Sequence, residues 1–259
     1  MFSKAEAYER FMGRWSRLLA PVLVDFVEVK DGDVVLDVGC GTGELTRAIR
    51  AAAAHGRVTG IDPAGDFVAH AKAACGDASI KFQLGDARRL ELASAAFDKT
   101  ISLLVLNFVP QPPRAVMEMI RVTKPGGIVA AAVWDYGGAM QMLRVFWDAV
   151  TALEPDASPS DEARMPLCRS GELTALWQQE GLNDVREAPL NVGLRFTSFD
   201  DFWSPFLLGQ GPAGAYVESL SPDGQKALER ALRDKLLGDG PDRPIEMQAR
   251  AWAVRGVVP

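Results

Sequence analysis

The chain has 259 residues, 48% of them hydrophobic, 24% of them charged, and a formal net charge of −6. This length and composition are typical of one large soluble globular domain. The acidic balance argues against a nucleic-acid partner, because proteins that bind DNA or RNA more often carry net positive charge. We found no apolar span of 18 residues and no metal-like spacing of the three cysteines, so we expect a cytoplasmic protein with reduced thiols, no membrane partner and no metal site.

The first predicted element is an amphipathic helix over residues 4–20, and Pro21 is expected to mark either a break or the start of a new helix. One side of this helix repeats apolar residues at helical spacing: Tyr8, Phe11, Met12, Trp15, Leu18 and Leu19. Three interpretations stay open. The helix packs on the core, or it lies as a flap over a ligand with Tyr8, Met12 and Trp15 lining the site, or it rests on a membrane surface.

The next stretch reads as a strand, a glycine-rich loop and the start of a helix. Residues 34–38 are apolar apart from Asp37, as in a strand covered on both faces. The loop that follows carries Gly39, Cys40, Gly41 and Gly43. Glycines so close together indicate a tight turn that a ligand can approach without meeting a Cβ atom. This order of elements predicts a cradle for a nucleotide or another anion.

The loop fits a dinucleotide poorly. The dinucleotide fingerprint ends in Gly or Ala, whereas its last position falls here on Glu44 when counted from Gly39 and on Thr46 when counted from Gly41. A carboxylate at the start of the helix would repel a pyrophosphate. An NAD-dependent oxidoreductase is therefore an alternative that shares the general layout and fails at these two positions.

A carboxylate follows the second predicted strand, at residues 58–61. Asp62 stands 23 positions after Gly39 (62 − 39), and Pro63 begins the next helix. An acidic residue about 20 positions after the glycine loop accepts hydrogen bonds from ribose hydroxyls in nucleotide-binding folds. We therefore predict that Asp62 binds a ribose, which both adenosylmethionine and NAD contain.

Further strands are predicted at residues 80–84, 99–105, 128–133, 182–196 and 245–258. The aromatic-rich segment 199–240 is expected to form a helical lid between the last two strands. Trp134, Asp135 and Tyr136 follow the fifth strand, at the edge where open α/β sheets bind ligands. They are candidates to face a substrate, although packing on the next helix would also explain them.

Five segments in order resemble the motifs of the class I S-adenosylmethionine-dependent methyltransferases. They are VLDVGCGTG, GID, GDA, FDKTISLLVLNFV and KPGGIVAAAVWD, all between residues 30 and 135. The nearest group is the small-molecule type similar to the ubiquinone and menaquinone biosynthesis methyltransferases. The resemblance implies a doubly wound, Rossmann-like α/β fold: a seven-stranded, mostly parallel sheet whose last strand is antiparallel, with a helical N-terminal cap and a helical lid insertion.

The resemblance also implies S-adenosyl-L-methionine as cofactor and a set of residues around it. By this resemblance, Asp37 lies beside the methionine end of the cofactor. Asp86 binds the adenine amino group, and the Ala87 backbone amide binds a ring nitrogen of the adenine. The full cofactor set is Asp37, Gly39, Cys40, Gly41, Gly43, Asp62, Pro63, Gly85, Asp86, Ala87, Ser102 and Leu103. The candidates for substrate binding are Tyr8, Trp15, Asn107, Trp134, Asp135 and Tyr136, with Asn107 standing where many relatives have a histidine.

The implied reaction is in-line transfer of the sulfonium methyl to a small, partly apolar acceptor. No general base is evident, since His55 and His70 both read as structural or solvated; Asp135 or Tyr136 is better placed. A protein that binds the cofactor without turnover is a further alternative. We expect one methyltransferase domain over residues 1–259, divided into a cap (1–30), a cofactor-binding core (31–135), helices and the sixth strand (136–198), the lid (199–240) and the last strand (241–259).

Overall fold

The computed structural model describes residues 4–155 and 161–259. Residues 1–3 of the predicted cap and 156–160 of the predicted middle segment lie outside the described residues. Within this part of the chain, seven strands form one sheet in the order β3-β2-β1-β4-β5-β7-β6. They are β1 (Val34–Val38), β2 (Arg57–Asp62), β3 (Ile80–Leu84), β4 (Phe97–Leu103), β5 (Thr123–Trp134), β6 (Asn183–Phe196) and β7 (Ile245–Val257).

The sheet has the topology that the sequence predicts. Strands β1 to β5 pair in parallel, whereas β7 runs antiparallel to both of its neighbours, β5 and β6. Helices flank the sheet: α1 (Lys4–Tyr8), α2 (Arg14–Val27), α3 (Glu44–Ala52), α4 (Gly65–Ala74), α5 (Pro112–Val122), α6 (Gln141–Leu153), α7 (Glu172–Gln179), α8 (Phe199–Trp203), α9 (Gly211–Ser219) and α10 (Pro222–Leu237). The predicted fold class is confirmed.

The strand ends differ from the prediction where the chain turns toward the carboxyl edge of the sheet. Strand β3 has the predicted bounds, but β4 ends at Leu103, two residues early. The next residue, Leu104, has a φ of +63°, a conformation that a branched side chain seldom adopts. The chain therefore leaves the sheet sharply at Leu104 and carries the following residues across the edge.

Pro21 neither breaks the N-terminal helix nor starts a new one, so the prediction at this residue is wrong. A π-helical turn, Glu9–Gly13, joins α1 to α2, and α2 continues through Pro21 to Val27. Leu19, Leu23 and Val27 are fully buried on one side of it. Burying three such side chains contributes about 1.5–3 kcal/mol each, which outweighs the ~3 kcal/mol that a proline costs inside a helix.

Residues of the lid meet the N-terminal helices above the sheet. Helices α8 to α10 connect β6 to β7 and occupy the segment that the sequence predicts to be a lid. The ring of Phe206 stacks on Phe146 of α6, with centroids 4.6 Å apart, and meets the edge of Phe11 at 5.2 Å. Arg14 donates a hydrogen bond to Asp201 of α8 at 2.6 Å. No described helix combines the length and the apolar character that crossing a bilayer requires.

Candidate functional site

A cavity of about 390 Å³ lies at the carboxyl edge of the sheet. The segments that follow β1, β2, β3 and β4 line it, because the carboxyl ends of parallel strands meet at one edge. The N-terminal helices contribute Tyr8 and Ser16. The predicted residues on this wall are Gly39, Cys40, Gly41, Asp62, Pro63, Gly85, Asp86, Ala87, Leu103 and Tyr8.

The three glycines of the first loop are required for different reasons. Gly41 has a φ of +51°, and a Cβ atom there would meet no protein atom within 4 Å. It lines the cavity, so the space beside it is open to a ligand. A Cβ on Gly39 would lie 2.4 Å from the Val105 side chain, and one on Gly43 would lie 3.2 Å from Phe82. Gly43 is thus set by packing and lies behind the wall.

Asp62 joins the glycine loop to the end of β2. Its Oδ2 accepts a hydrogen bond from the Gly41 N–H at 3.0 Å, and its Oδ1 accepts one from the Ala64 N–H at 2.9 Å. Each carboxylate oxygen has a second acceptor position, and the residue lines the cavity while only 7% exposed. Burial raises the pKa of this carboxyl. Asp62 can therefore accept bonds from two hydroxyls of a ligand.

Asp37 and Ser102 lie behind the wall rather than on it. Asp37 is fully buried, and its Oδ2 accepts a hydrogen bond from the Thr46 hydroxyl at 2.6 Å. Burial raises the pKa of Asp37 to about 7. The Ser102 hydroxyl donates to the Val38 carbonyl oxygen at 2.9 Å and so links β4 to β1. Both residues hold the strands that carry the glycine loop.

The segment after β3 lines the cavity with a charged pair. Asp86 is bound by the guanidinium of Arg88, with Oδ2 and Nη2 2.6 Å apart, and these hydrogen bonds lower the pKa of Asp86 to about 2. Arg88 also lines the cavity, and the sequence prediction missed it. A Cβ on Gly85 would lie 2.4 Å from Ile61, so this glycine lets the segment pass close to β2.

The Glu44 carboxylate, at the start of the helix after the glycine loop, is bound by two arginine side chains. Glu44 accepts hydrogen bonds from Arg17 at 2.8 and 3.1 Å and forms a salt bridge with Arg47 at 2.7 Å. The Thr42 hydroxyl donates to Glu9 of the π-helical turn. These contacts seat the N-terminal helices on the glycine loop. The packed-helix and flap interpretations are therefore compatible.

A second cavity, of about 250 Å³, adjoins the first. The two share the wall residues Tyr8, Phe67, Leu104 and Phe108. Trp134 and Tyr136, both predicted to face a substrate, line the second cavity. The rest of its wall is Phe11, Met12, Leu143, Glu162, Gln210, Gly211 and Pro212. Side chains of the cap, the sheet edge and the lid thus surround one chamber beside the larger cavity.

Three predicted substrate residues are buried away from both cavities. Trp15 packs edge-on against Phe196, with centroids 5.1 Å apart. Asn107 donates from Nδ2 to the Met165 sulfur at 3.4 Å. Asp135 accepts hydrogen bonds from Arg250 at 2.5 and 2.9 Å. That ion pair fixes the turn after β5 to β7, so Asp135 is engaged in structure and its candidacy as a base is not supported.

Several wall residues were missed by the sequence prediction. Phe67 lies on the apolar side of α4, the helix that follows β2. Phe108 follows β4 and stays 53% exposed beside the cavities. The position of both residues after a strand was a signal that the prediction could have used. Glu162 had no such signal. It stands in a Pro-, Ser- and Asp-rich stretch, and reaches the chamber only because the chain folds back between α6 and α9.

Comparisons with known proteins agree with the motifs. Residues 36–131 match a family model described as a methyltransferase domain. The chain is 32% identical to a malonyl-[acyl-carrier protein] O-methyltransferase of Pectobacterium atrosepticum over 53% of each chain, so it spans about half the length of that relative. It is 27% identical to an uncharacterised protein of Mycobacterium tuberculosis, over 85% of this chain and 78% of that one.

One solved structure with the same fold contains a ligand. Phosphoethanolamine N-methyltransferase 2 of Haemonchus contortus, in complex with S-adenosyl-L-methionine, superposes with a TM-score of 0.60 at 19% identity. The match covers 98% of this chain and 56% of that one. At this identity the likeness concerns the fold.

Proposed function

Because the chain belongs to the class I S-adenosylmethionine-dependent methyltransferases, we propose that it transfers the methyl group to a small, partly apolar acceptor. The family predicted from the motifs is confirmed, and S-adenosylmethionine is its cofactor. The identity of the acceptor belongs to the proposal. One observation supports it above all: a 250 Å³ chamber with aromatic walls adjoins the larger cavity.

The larger cavity suits an adenosyl group and its amino-acid tail. Asp62 has an open acceptor position on each oxygen for ribose hydroxyls, and the open space beside Gly41 leaves room for the tail. Asp86 and the Ala87 amide would meet the adenine, with Arg88 holding the Asp86 carboxylate in place. When bound, the cofactor supplies a methyl group on a positively charged sulfur.

The chain's own residues position the reactants and keep water out. Tyr8 lines both cavities, so its ring lies where they meet; an aromatic face near a sulfonium contributes about 0.5–2 kcal/mol. Holding two reactants in near-attack geometry can lower a barrier by about 7–11 kcal/mol. In this proposal the cap and the lid belong to the same domain as the sheet, since both supply walls of the chamber.

Calorimetry and a turnover assay test this function. We expect saturable binding of S-adenosylmethionine and of S-adenosylhomocysteine, and no binding of NADH. Incubation with a set of small apolar acceptors should release S-adenosylhomocysteine, detected by mass spectrometry. Saturable NADH binding without a response to S-adenosylmethionine would contradict the proposal. Cofactor binding without product from any acceptor would favour a protein that binds the cofactor without turnover.

A further inference from the structure

A buried carboxylate lines the acceptor chamber. Glu162 begins a short 3₁₀ helix, Glu162–Arg164, and is 3% exposed. Its Oε1 accepts a hydrogen bond from the Ala213 N–H at 3.0 Å, near the start of α9, and its Oε2 accepts one from the Trp147 indole N–H. The Glu162 backbone N–H also acts on this carboxylate as a hydrogen-bond donor. A carboxylate has about four acceptor positions, so one remains for a ligand.

Among the described residues, the negative charge of Glu162 has no cationic partner. The nearby guanidinium of Arg144 is bound by Asp161 through both of its terminal nitrogens, and within residues 4–155 and 161–259 no salt bridge reaches Glu162. Burial raises the pKa of this carboxyl. Neutral donors alone do not offset the desolvation of a buried carboxylate, which costs several kcal/mol. Anchoring α9 requires only a neutral acceptor, so the acidic group points to chemistry in the chamber.

A buried donor lines the same chamber. Trp134 is 1% exposed, and its indole nitrogen has no hydrogen-bond partner in the described part of the chain. An unpaired buried N–H costs about 1–3 kcal/mol, which a ligand oxygen would recover. The chamber thus offers Glu162 as acceptor and Trp134 as donor. A hydroxyl group satisfies both, because it donates one hydrogen bond and accepts others, whereas an ammonium group only donates.

We propose that Glu162 is the general base that takes the proton from the ring hydroxyl of a small phenolic acceptor during methyl transfer. The inference rests on the proposed function and deepens it. An oxygen lone pair forms the new C–O bond, and the C–S bond breaks with its electrons remaining on sulfur. The hydroxyl proton passes to the Glu162 carboxylate, and the second oxygen lone pair can accept the Trp134 N–H.

The size and the walls of the chamber favour a phenol. An apolar cavity of about 150 Å³ holds benzene, so 250 Å³ accommodates one substituted ring. Phe11, Phe67 and Phe108 supply aromatic walls. A phenolic hydroxyl, with a pKa near 10, is also a better match for a carboxylate base than an aliphatic alcohol, because proton transfer is most efficient when the two acidities are close.

The test compares two phenols in the full chain. Wild type and Glu162→Gln are assayed with S-adenosylmethionine and a set of single-ring phenols that includes 4-methylphenol and 4-nitrophenol. The nitro compound is already largely ionised at mildly alkaline pH and needs no base. We expect Glu162→Gln to lower kcat for 4-methylphenol by about 100- to 10,000-fold, with a much smaller loss for 4-nitrophenol.

Two further variants separate the chemistry from the anchoring of α9. Trp147→Phe removes one donor to Glu162 but keeps the carboxylate, and should lower kcat by less than about tenfold. Glu162→Asp should restore part of the activity that Glu162→Gln loses. Calorimetry with S-adenosylhomocysteine checks that each variant is folded and binds as wild type does.

The outcomes test separately the role of Glu162, the class of the acceptor and the proposed function. Equal losses for both phenols in Glu162→Gln, or an equal loss in Trp147→Phe, would overturn the role of Glu162 as base. If wild type binds S-adenosylmethionine but methylates none of the phenols, or methylates only ring amines offered in parallel, the acceptor class is wrong while the proposed function survives. Absence of S-adenosylmethionine binding by wild type would refute the proposed function itself.

Discussion

Replacement of Asp62 by alanine tests the cofactor site most directly. Asp62 holds the Gly41 and Ala64 amides with one hydrogen bond on each oxygen, and the two open positions are the ones that a ribose would use. Losing a hydrogen bond to a charged acceptor costs about 1.5–3 kcal/mol. The dissociation constant for S-adenosylmethionine should therefore rise by about 10- to 150-fold.

The exposed residue Asp66 provides a matched control. It lies in the first turn of α4, and its charge acts on the Asp62 carboxyl, but it is not part of the cavity wall. Asp66→Asn removes the same charge and should change the affinity by less than about threefold. Titration calorimetry with S-adenosylmethionine measures both variants, and circular dichroism confirms their fold.

The result that refutes the ribose assignment is simple. If Asp62→Ala binds S-adenosylmethionine with wild-type affinity, the carboxylate makes no important contact with the cofactor, and its role is confined to the glycine loop. The variant Asp62→Asn separates the effect of the charge from that of the geometry, because its amide oxygen keeps one hydrogen-bond acceptor. An intermediate loss would show that the charge contributes as well as the geometry.

Three other changes probe the loop, the buried carboxyl and the contact between cap and lid. Gly41→Val should weaken S-adenosylmethionine binding by more than about 100-fold, because its side chain would enter the cavity, whereas the exposed Gly76→Val should bind normally in the same calorimetric assay. Asp37 keeps its proton up to about pH 7 when folded but only to about pH 4 when unfolded. The free energy of unfolding should therefore decrease as the pH rises from about 4 to about 7. Urea unfolding of Asp37→Asn should show no such decrease. A double-mutant cycle on Arg14→Ala and Asp201→Ala should give a coupling energy of about 0.5–1 kcal/mol, and a value near zero would mean that this ion pair does not hold the cap to the lid.

The sequence alone determined the sheet and the loop at its centre. The run from Val34 to Val38, the glycines that follow and Asp62 at the end of β2 are signals within a short stretch, since periodicity and backbone conformation are local properties. The bounds of β3 followed from the same kind of signal, whereas the seven-stranded sheet with an antiparallel last strand was implied by the resemblance of five motifs to a known family. The wrong prediction at Pro21 also has a tertiary cause. The burial of Leu23 and Val27 outweighs the tendency of a proline to interrupt a helix.

Only the tertiary structure decided which side chains reach a cavity. Asp135 and Tyr136 are neighbours, yet Asp135 pairs with Arg250, 115 positions away, while Tyr136 lines the 250 Å³ chamber. Glu162 enters that chamber through contacts with α6 and α9, the latter 51 positions along the chain. Such placements depend on packing between segments that are distant in the sequence, and a local sequence pattern does not predict that packing. The sequence therefore predicts which strand ends and loops hold a cofactor, whereas the packing of the N-terminal helices and of helices α8 to α10 on the sheet decides which other side chains line the cavities.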